Sequence, residues 1–308
     1  LPRRGCGRRR ASRWGGMPAE APSAEEEAAD CPYINEYCES RHQGRVRCTW
    51  AEAKGRILLS RRAVKQGEVI FREPPLLIVA ERRGDPAFDR LTQLCTQDRK
   101  VYEYDPLWYW TALCSLTAAQ LPPTSGGPGG GGSGGPALQP IGEDQQRKLL
   151  LLYHSDATTA SRACGRLVEE FGLAATLEPL QLERCLQVWI LNCFEHSDDP
   201  LGYSTYFMSS FMSHSCLPNA VWHYDGDDFI LRARCDIAEG AEITVSYLSE
   251  DALLESIPAR RKHLKESKHF VCACERCAGG RDPSRGFRCP ACGALVFPTP
   301  GGEVSAGG

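Results

Sequence analysis

The segment Phe211-Met212-Ser213-His214-Ser215-Cys216-Leu217-Pro218-Asn219-Ala220 is followed by two others. The second is Gly240-Ala241-Glu242-Ile243-Thr244-Val245-Ser246-Tyr247-Leu248, and the third is Cys272-Ala273-Cys274-Glu275-Arg276-Cys277. Cysteines spaced as Cys272, Cys274 and Cys277 can wrap one metal through a short knuckle, but cannot close a tetrahedral shell. A fourth ligand must come from elsewhere. Sixteen cysteines are present, five of them between Cys272 and Cys292, and no secretory signal with a long apolar centre is evident. Zinc therefore accounts for the cluster better than a disulfide framework does. Cys289-Pro290-Ala291-Cys292-Gly293 is a second knuckle signature, but a pair alone is half a site and no partner is assigned to it. Cys95, Cys114, Cys164, Cys185 and Cys193 lie among apolar residues and read as small core hydrophobes.

Working outward, the chain reads as strands, helices, strands and a cysteine tail. Strand-like runs appear at Arg56–Leu59, Glu68–Phe71 and Leu76–Val79, punctuated by Gly55, Gln66-Gly67 and Pro74-Pro75. Residues 121–140 are rich in Gly, Pro and Ser and read as a flexible linker. Helices are expected near 143–154, 160–172 and 178–194. In the last, Leu182, Leu186, Trp189 and Cys193 recur at helical spacing and Pro179 suits the first turn. Strand character returns at Val221–Tyr224, Phe229–Leu231 and Ile243–Leu248.

Composition narrows the classes further. A 308-residue chain with 42% hydrophobic content can bury a core, and a formal net charge of −3 does not favour direct nucleic-acid binding. No run reaches the length of a membrane span, so no membrane role is expected. Residues 1–16 are Arg-rich without an acidic residue, and Met17 is a plausible start, so this stretch reads as targeting or translated leader sequence. Residues 1–47 as a whole, basic then acidic, are expected to be disordered.

The three segments, in this order, resemble the SET family of protein-lysine methyltransferases, and within it the SMYD-like branch. That branch shows Asn-His-Ser-Cys-x-Pro-Asn, then Gly-Glu-Glu-Ile-x-x-x-Tyr, then Phe-x-Cys-x-Cys-x-x-Cys. Lys54-Gly55-Arg56-Ile57 through Glu73-Pro74-Pro75-Leu76 resembles the opening strands of the same domain. Only Cys95 and Cys114 lie between Ala80 and Leu121, too few for a MYND zinc finger, so the likeness concerns the SET core. The resemblance implies an α+β, β-rich SET fold with pseudoknot-like threading, a helical insertion and a C-terminal zinc-binding post-SET segment. The corresponding division is a SET domain over 48–250 with the helical insertion at 141–194, a post-SET segment over 251–280, and a second half-knuckle and tail over 281–308.

The resemblance also implies the site. Lys54, Gly55 and Arg56 would line the methionine part of S-adenosylmethionine, chiefly through backbone groups. Asn192, Ser213 and His214 would also meet that cofactor, and Phe270 would stack on adenine. Tyr247 would be the active-site tyrosine; the chemistry of an apolar lysine channel adds Tyr206 as a second catalytic candidate and, with Phe207, as a candidate channel wall. The family pattern nominates Cys216 to complete a zinc site with Cys272, Cys274 and Cys277.

Chemistry explains why such residues are wanted. Methyl transfer from a sulfonium is an in-line displacement, so the enzyme must mainly align the amine with the methyl and exclude water. A free lysine has pKa about 10.4, so only on the order of one in a thousand is neutral near pH 7. A narrow apolar channel lowers that pKa, and a tyrosine hydroxyl can orient the amine without competing as a nucleophile. Three departures from the pattern bear on cofactor affinity: Ser213 stands for the usual asparagine, Ala241 for the first glutamate, and Ala53 for the first glycine of Gly-x-Gly. Serine offers one hydroxyl where asparagine offers an amide, which encourages the rival reading of a catalytically weak scaffold that recruits partners. The expected partner is a histone or non-histone protein, with no preference between them, in a reducing nuclear or cytoplasmic compartment.

Overall fold

Helix α1 (Cys31–His42) begins at Pro32 in its first turn and buries Ile34, Cys38 and His42, residues four apart on one face. This corrects the expectation of disorder throughout 1–47. The signal was thin, because that face carries one aliphatic residue, a thiol and an imidazole. β1 (Val46–Ala51) pairs antiparallel with β2 (Gly55–Ser60). Gly55 opens β2 at φ 72, a left-handed conformation that glycine adopts at little cost. The computed structural model describes residues 30–122, 138–155, 157–279, 282–298 and 304–306. Residues 1–16, and most of the expected linker at 121–140, lie outside them.

β3 (Val69–Glu73) and β4 (Leu77–Ala80) lead into a helical layer. Its members are α2 (Pro86–Gln97), α3 (Pro106–Leu113), α4 (Glu143–Leu150), α5 (Arg162–Glu170) and α6 (Pro179–Asn192). The last three match the expected helices, with α6 stopping at Asn192 before a strand rather than running to 194. Helices α2 and α3 were not expected. The Asp85-Pro86 start of α2 was nevertheless legible: the Asp85 carboxylate accepts the backbone N–H of Ala87 and of Phe88. Phe88, Leu91, Trp110, Leu167, Leu186 and Trp189 form one core of this layer, and Cys95, Cys164 and Cys185 are buried in it as expected.

The chain then returns to strands: β5 (Phe194–Asp198), β6 (Leu201–Thr205), β7 (Ser213–His214), β8 (Ala220–Asp225), β9 (Asp228–Ala233) and β10 (Thr244–Val245). Two antiparallel three-stranded sheets result, ordered β3-β9-β8 and β4-β6-β5. A second core runs among the strands and α1, with Ile34, Leu58, Phe71, Phe229 and Ile243 in it. β7 and β10 are the exception in pairing parallel, Ser213 to Thr244 and His214 to Val245. Parallel neighbours require a crossover, and the β8–β9 hairpin with the turn that follows supplies it. The crossover brings the first two signature segments side by side.

The C-terminal part continues through α7 (Glu250–Leu253), α8 (Ile257–Lys268) and α9 (Glu275–Ala278). Beyond them β11 (Phe287–Arg288), β12 (Leu295–Pro298) and β13 (Val304–Ala306) form a small antiparallel sheet. Leu264 of α8 packs with Cys216, Cys272 and Cys277 in a third cluster, which seats the tail. Among the described residues no helix is long and apolar enough to cross a membrane.

Candidate active site and metal centre

The thiols of Cys216, Cys272, Cys274 and Cys277 lie within 4.8 Å of one another. Cys216 comes from the turn after β7, and the others from the knuckle that α9 closes. Cys277 and Ala278 both donate backbone N–H to the Cys274 carbonyl, at 2.8 and 2.9 Å. Sulfur separations are 3.5 Å for Cys216–Cys277 and 3.9 Å for Cys216–Cys272. A disulfide requires ~2.05 Å. Four sulfurs at about 2.3 Å from one zinc stand ~3.8 Å apart at tetrahedral angles. The residues fit a tetrathiolate metal, and Cys216, nominated by resemblance, is the fourth thiol of the group. Backbone N–H groups of Cys216 and Cys274 point at the sulfurs of Cys274 and Cys272, at 3.4 and 3.5 Å. A hydrogen bond from the Cys216 thiol holds Cys272 below the usual thiol range, and the same contact pushes Cys216 up.

Arginines surround this centre, a feature the sequence reading missed. Arg276 donates to the carbonyls of Cys216 and Leu253 and to Asp282. Arg261 donates to the carbonyls of Cys272 and Cys277. Arg260 is fully buried and bonds Asp282 Oδ2 at 2.5 Å and the Glu255 carbonyl at 2.6 Å. Burial by itself would raise the Asp282 pKa, but the bonds from Arg276 and Arg260 prevail and hold it at about 2.

His214 joins the cysteines to the second signature. Its Nε2 lies 3.3 Å from Cys216 Sγ, and its Nδ1 accepts the Tyr247 backbone N–H at 3.0 Å. The rings of His214, Tyr247 and Phe270 surround one point, with centroids 5.4, 5.9 and 6.3 Å apart. His214 is buried, Phe270 is half-buried and Tyr247 keeps 40% of its surface exposed, so the group presents an open aromatic face. The Tyr247 hydroxyl donates to the Met212 carbonyl. Packing around that hydroxyl and the nearby Glu242 carboxylate raise its pKa, so it stays protonated at neutral pH. Lys268, also missed, reaches from α8 to the Leu191 carbonyl at 2.6 Å, with its ammonium 5.8 Å from the Tyr247 ring centre. The end of α6, beside Asn192, is thereby tied to Tyr247.

The remaining expected contacts divide. Lys54 pairs with Glu242 at 2.6 Å, which draws the β1–β2 turn and Gly55 toward the Tyr247 segment. Asn219 clamps that segment from the other side: its amide bonds the Glu242 carbonyl at 2.7 Å and the Thr244 N–H at 2.8 Å. The Pro-Asn of the first signature thus has a positioning task that the sequence reading did not assign. Ser213 lies in β7 beside Thr244. The Arg56 side chain is turned to bracing, bonded to Asp30 and the Leu151 carbonyl and lying over the Phe211 ring. Asn192 is buried, its amide nitrogen donating to the Tyr153 and Val188 carbonyls at 2.7 Å each. Tyr206 is fully buried in a different aromatic group, against Phe194, Tyr224 and Phe229, with its hydroxyl on the Asp227 carbonyl. Phe207 packs against Tyr33, Tyr37 and Phe211.

A sequence model of the SET domain matches residues 55–248, more than half of the chain, and the protein belongs to that family. Relatives share shorter stretches. A SET and MYND domain-containing protein of Dictyostelium discoideum is 35% identical over 108 residues, covering 34% of this chain and 24% of that protein. Histone-lysine N-methyltransferase ASHR1 of Arabidopsis thaliana is 34% identical over 98 residues, 29% of this chain and 20% of that protein. Human protein-lysine N-trimethyltransferase SMYD5 is 35% identical over 83 residues, 26% of this chain and 20% of that protein. The matched part thus spans about a quarter or less of each relative. Among solved structures, the SET domain of LSMT bound to lysine and AdoHcy superposes with a TM-score of 0.43 at 11% identity, covering 83% of this chain and 59% of that one.

Proposed function

We propose that this SET-domain protein transfers a methyl group from S-adenosylmethionine to lysine side chains of proteins. The observation that carries the reading is the meeting of Tyr247, His214 and Phe270 beside the four-cysteine centre. Relatives named as lysine methyltransferases support the reaction class. The parallel β7–β10 pair supports the threading expected of the fold. S-adenosylmethionine, when bound, would supply a methyl group on its sulfonium sulfur, which would leave as the neutral thioether of S-adenosylhomocysteine.

The residues of this chain then do the rest. Phe270 offers a half-buried ring on which adenine would stack, and Gly55 would let the β1–β2 turn approach a ligand closely. Ser213 would meet the donor through its backbone, while Asn192, its amide nitrogen bonded to the Tyr153 and Val188 carbonyls, would brace the end of α6 behind it. Tyr247 keeps its hydroxyl proton and turns that oxygen toward the lysine amine, which attacks as the neutral base after losing its proton to solvent. Tyr206 and Phe207 act through packing behind the 206–212 segment, whose Met212 carbonyl holds the Tyr247 hydroxyl. Cys216, Cys272, Cys274 and Cys277 would hold a zinc ion, which would fix the tail that carries Phe270. Reduced thiols at this centre suit a nuclear or cytoplasmic setting.

The test is incubation of the purified, zinc-replete protein with labelled S-adenosylmethionine and a cell lysate. Label on lysine is the expected result. Cofactor binding without transfer to any lysine would favour the scaffold reading, which the Ser213 departure motivates.

A further inference from the structure

Three guanidinium groups close on the cysteine cluster, and one buried carboxylate answers them. Arg260 is fully buried, with Nη2 3.5 Å from Cys277 Sγ and Nη1 on Asp282. The Arg276 side chain is 8% exposed and shares the same Asp282, itself 5% exposed. Arg261 is held on the carbonyls of two of the cysteines. Arg260 and Arg276, both shielded from water, share the Asp282 carboxylate, which leaves an excess of positive charge beside the thiols. An uncompensated buried charge is strongly disfavoured.

The four cysteines can supply negative charge only as thiolates. Four neutral thiols carry none, and two disulfides carry none. Four thiolates around one divalent ion carry four negative and two positive charges, a net of two negative. The buried guanidinium groups around it carry the opposite sign. Of the three arginines Arg260 reaches a cysteine sulfur, whereas Arg261 and Arg276 reach the cysteines' backbone carbonyls. A cationic donor on a thiolate draws off electron density, so the sulfur competes less well for protons and repels its neighbours less.

We propose that Arg260 is the counter-ion of Cys277 in a divalent metal–tetrathiolate centre, and that its charge sets how firmly the centre holds its metal. This rests on reading the four cysteines as a zinc site. Arg260 is a positioning residue here, acting on the metal through Cys277.

The experiment uses the full chain loaded with zinc, and follows metal release to excess chelator with a coloured indicator. Cobalt-substituted samples report the sulfur-to-metal charge-transfer band. Arg260→Met is expected to release zinc about 10- to 100-fold faster, the range for loss of a group supporting a metal ligand. Its cobalt band should move to longer wavelength, because Cys277 regains electron density. Arg260→Lys should restore most of the retention, and Arg261→Met should leave the band in place. Wild-type release and an unshifted band in Arg260→Met overturn the proposal. So does an Arg260→Lys protein that loses metal as fast as Arg260→Met, since shape rather than charge would then decide. Should Arg260→Met fail to fold, Arg260→Lys against Arg260→Gln makes the same comparison with a donor kept in both. Wild-type protein that takes up no zinc would instead remove the four-cysteine reading itself.

Discussion

His214 Nδ1 accepts the backbone N–H of Tyr247 at 3.0 Å. An accepting Nδ1 puts the proton of the neutral ring on Nε2, the nitrogen that faces Cys216 Sγ at 3.3 Å. One imidazole therefore spans from a metal-competent sulfur to the backbone of the candidate catalytic tyrosine. The position of Tyr247 and the integrity of the cysteine centre are mechanically linked, and the variants below are chosen to pull them apart.

Tyr247→Phe removes one hydroxyl and keeps the ring against His214 and Phe270. Methyl transfer should fall on the order of a hundredfold, the scale for loss of one positioned polar group. Melting temperature and cofactor affinity should barely move. Full turnover in this variant would show that Tyr247 does not align the amine.

Cys274→Ser strikes the other end of the link. Binding of a structural zinc is worth on the order of 10 kcal/mol, so its loss should release the tail that carries Phe270. Zinc content, melting temperature, cofactor affinity and turnover should decline together. Retained cofactor affinity in zinc-free protein would break the proposed coupling.

Phe270→Ala tests stacking alone. Aromatic contacts are worth about 0.5–1.5 kcal/mol beyond the area they bury, so cofactor affinity should weaken by at least roughly 2- to 12-fold. Zinc content should stay at the wild-type level. Calorimetry on zinc-replete samples decides, and unchanged affinity would place adenine elsewhere.

His42 gives the fold a pH signature remote from the cysteines. It packs against Tyr37 and Phe71, and burial, aided by Arg41 and Arg45, lowers its pKa to about 4 from 6.5. A depressed folded-state pKa means the unfolded chain binds the extra proton first. The contribution is present above pH 6.5 and is lost as pH falls toward 4, at no more than roughly 1.4 kcal/mol per pH unit. Denaturant titrations of His42→Leu across that window should lack this part of the slope. A slope equal to wild type would mean His42 takes up its proton in the folded state as readily as in the unfolded one.

Much of the site was legible because its residues lie in short runs whose spacing carries chemistry. Cys272, Cys274 and Cys277 announce a metal knuckle, and Pro179, Leu182, Leu186 and Trp189 announce a buried helix whatever surrounds them. Helices α2 and α3 and the N-terminal α1 escaped because their signals were a cap and a first-turn proline, and those mark a start without fixing a length. Arg260 escaped for another reason. An arginine in a charged helical stretch reads as solvent-facing, and only packing against Cys277 and Asp282 shows that it is buried.

The sequence by itself determined which groups were available: four thiols, one imidazole, a tyrosine and a phenylalanine in a fixed order, with turn residues between the strands. Local rules of spacing, capping and alternation act over a few residues, so they reach that far. Which groups meet was decided by the tertiary structure. The parallel pairing of β7 with β10 sets Ser213 beside Thr244, the Asn219 amide clamps Glu242 and Thr244, and the tail folds back to lay three cysteines against Cys216. Those contacts join residues far apart along the chain, and their stability comes from burial and charge balance shared among them. No single segment carries that information. The same reason separates Tyr206 from Tyr247: both are tyrosines at strand ends, and only the packing of Phe194, Tyr224 and Phe229 around Tyr206 places it in the core.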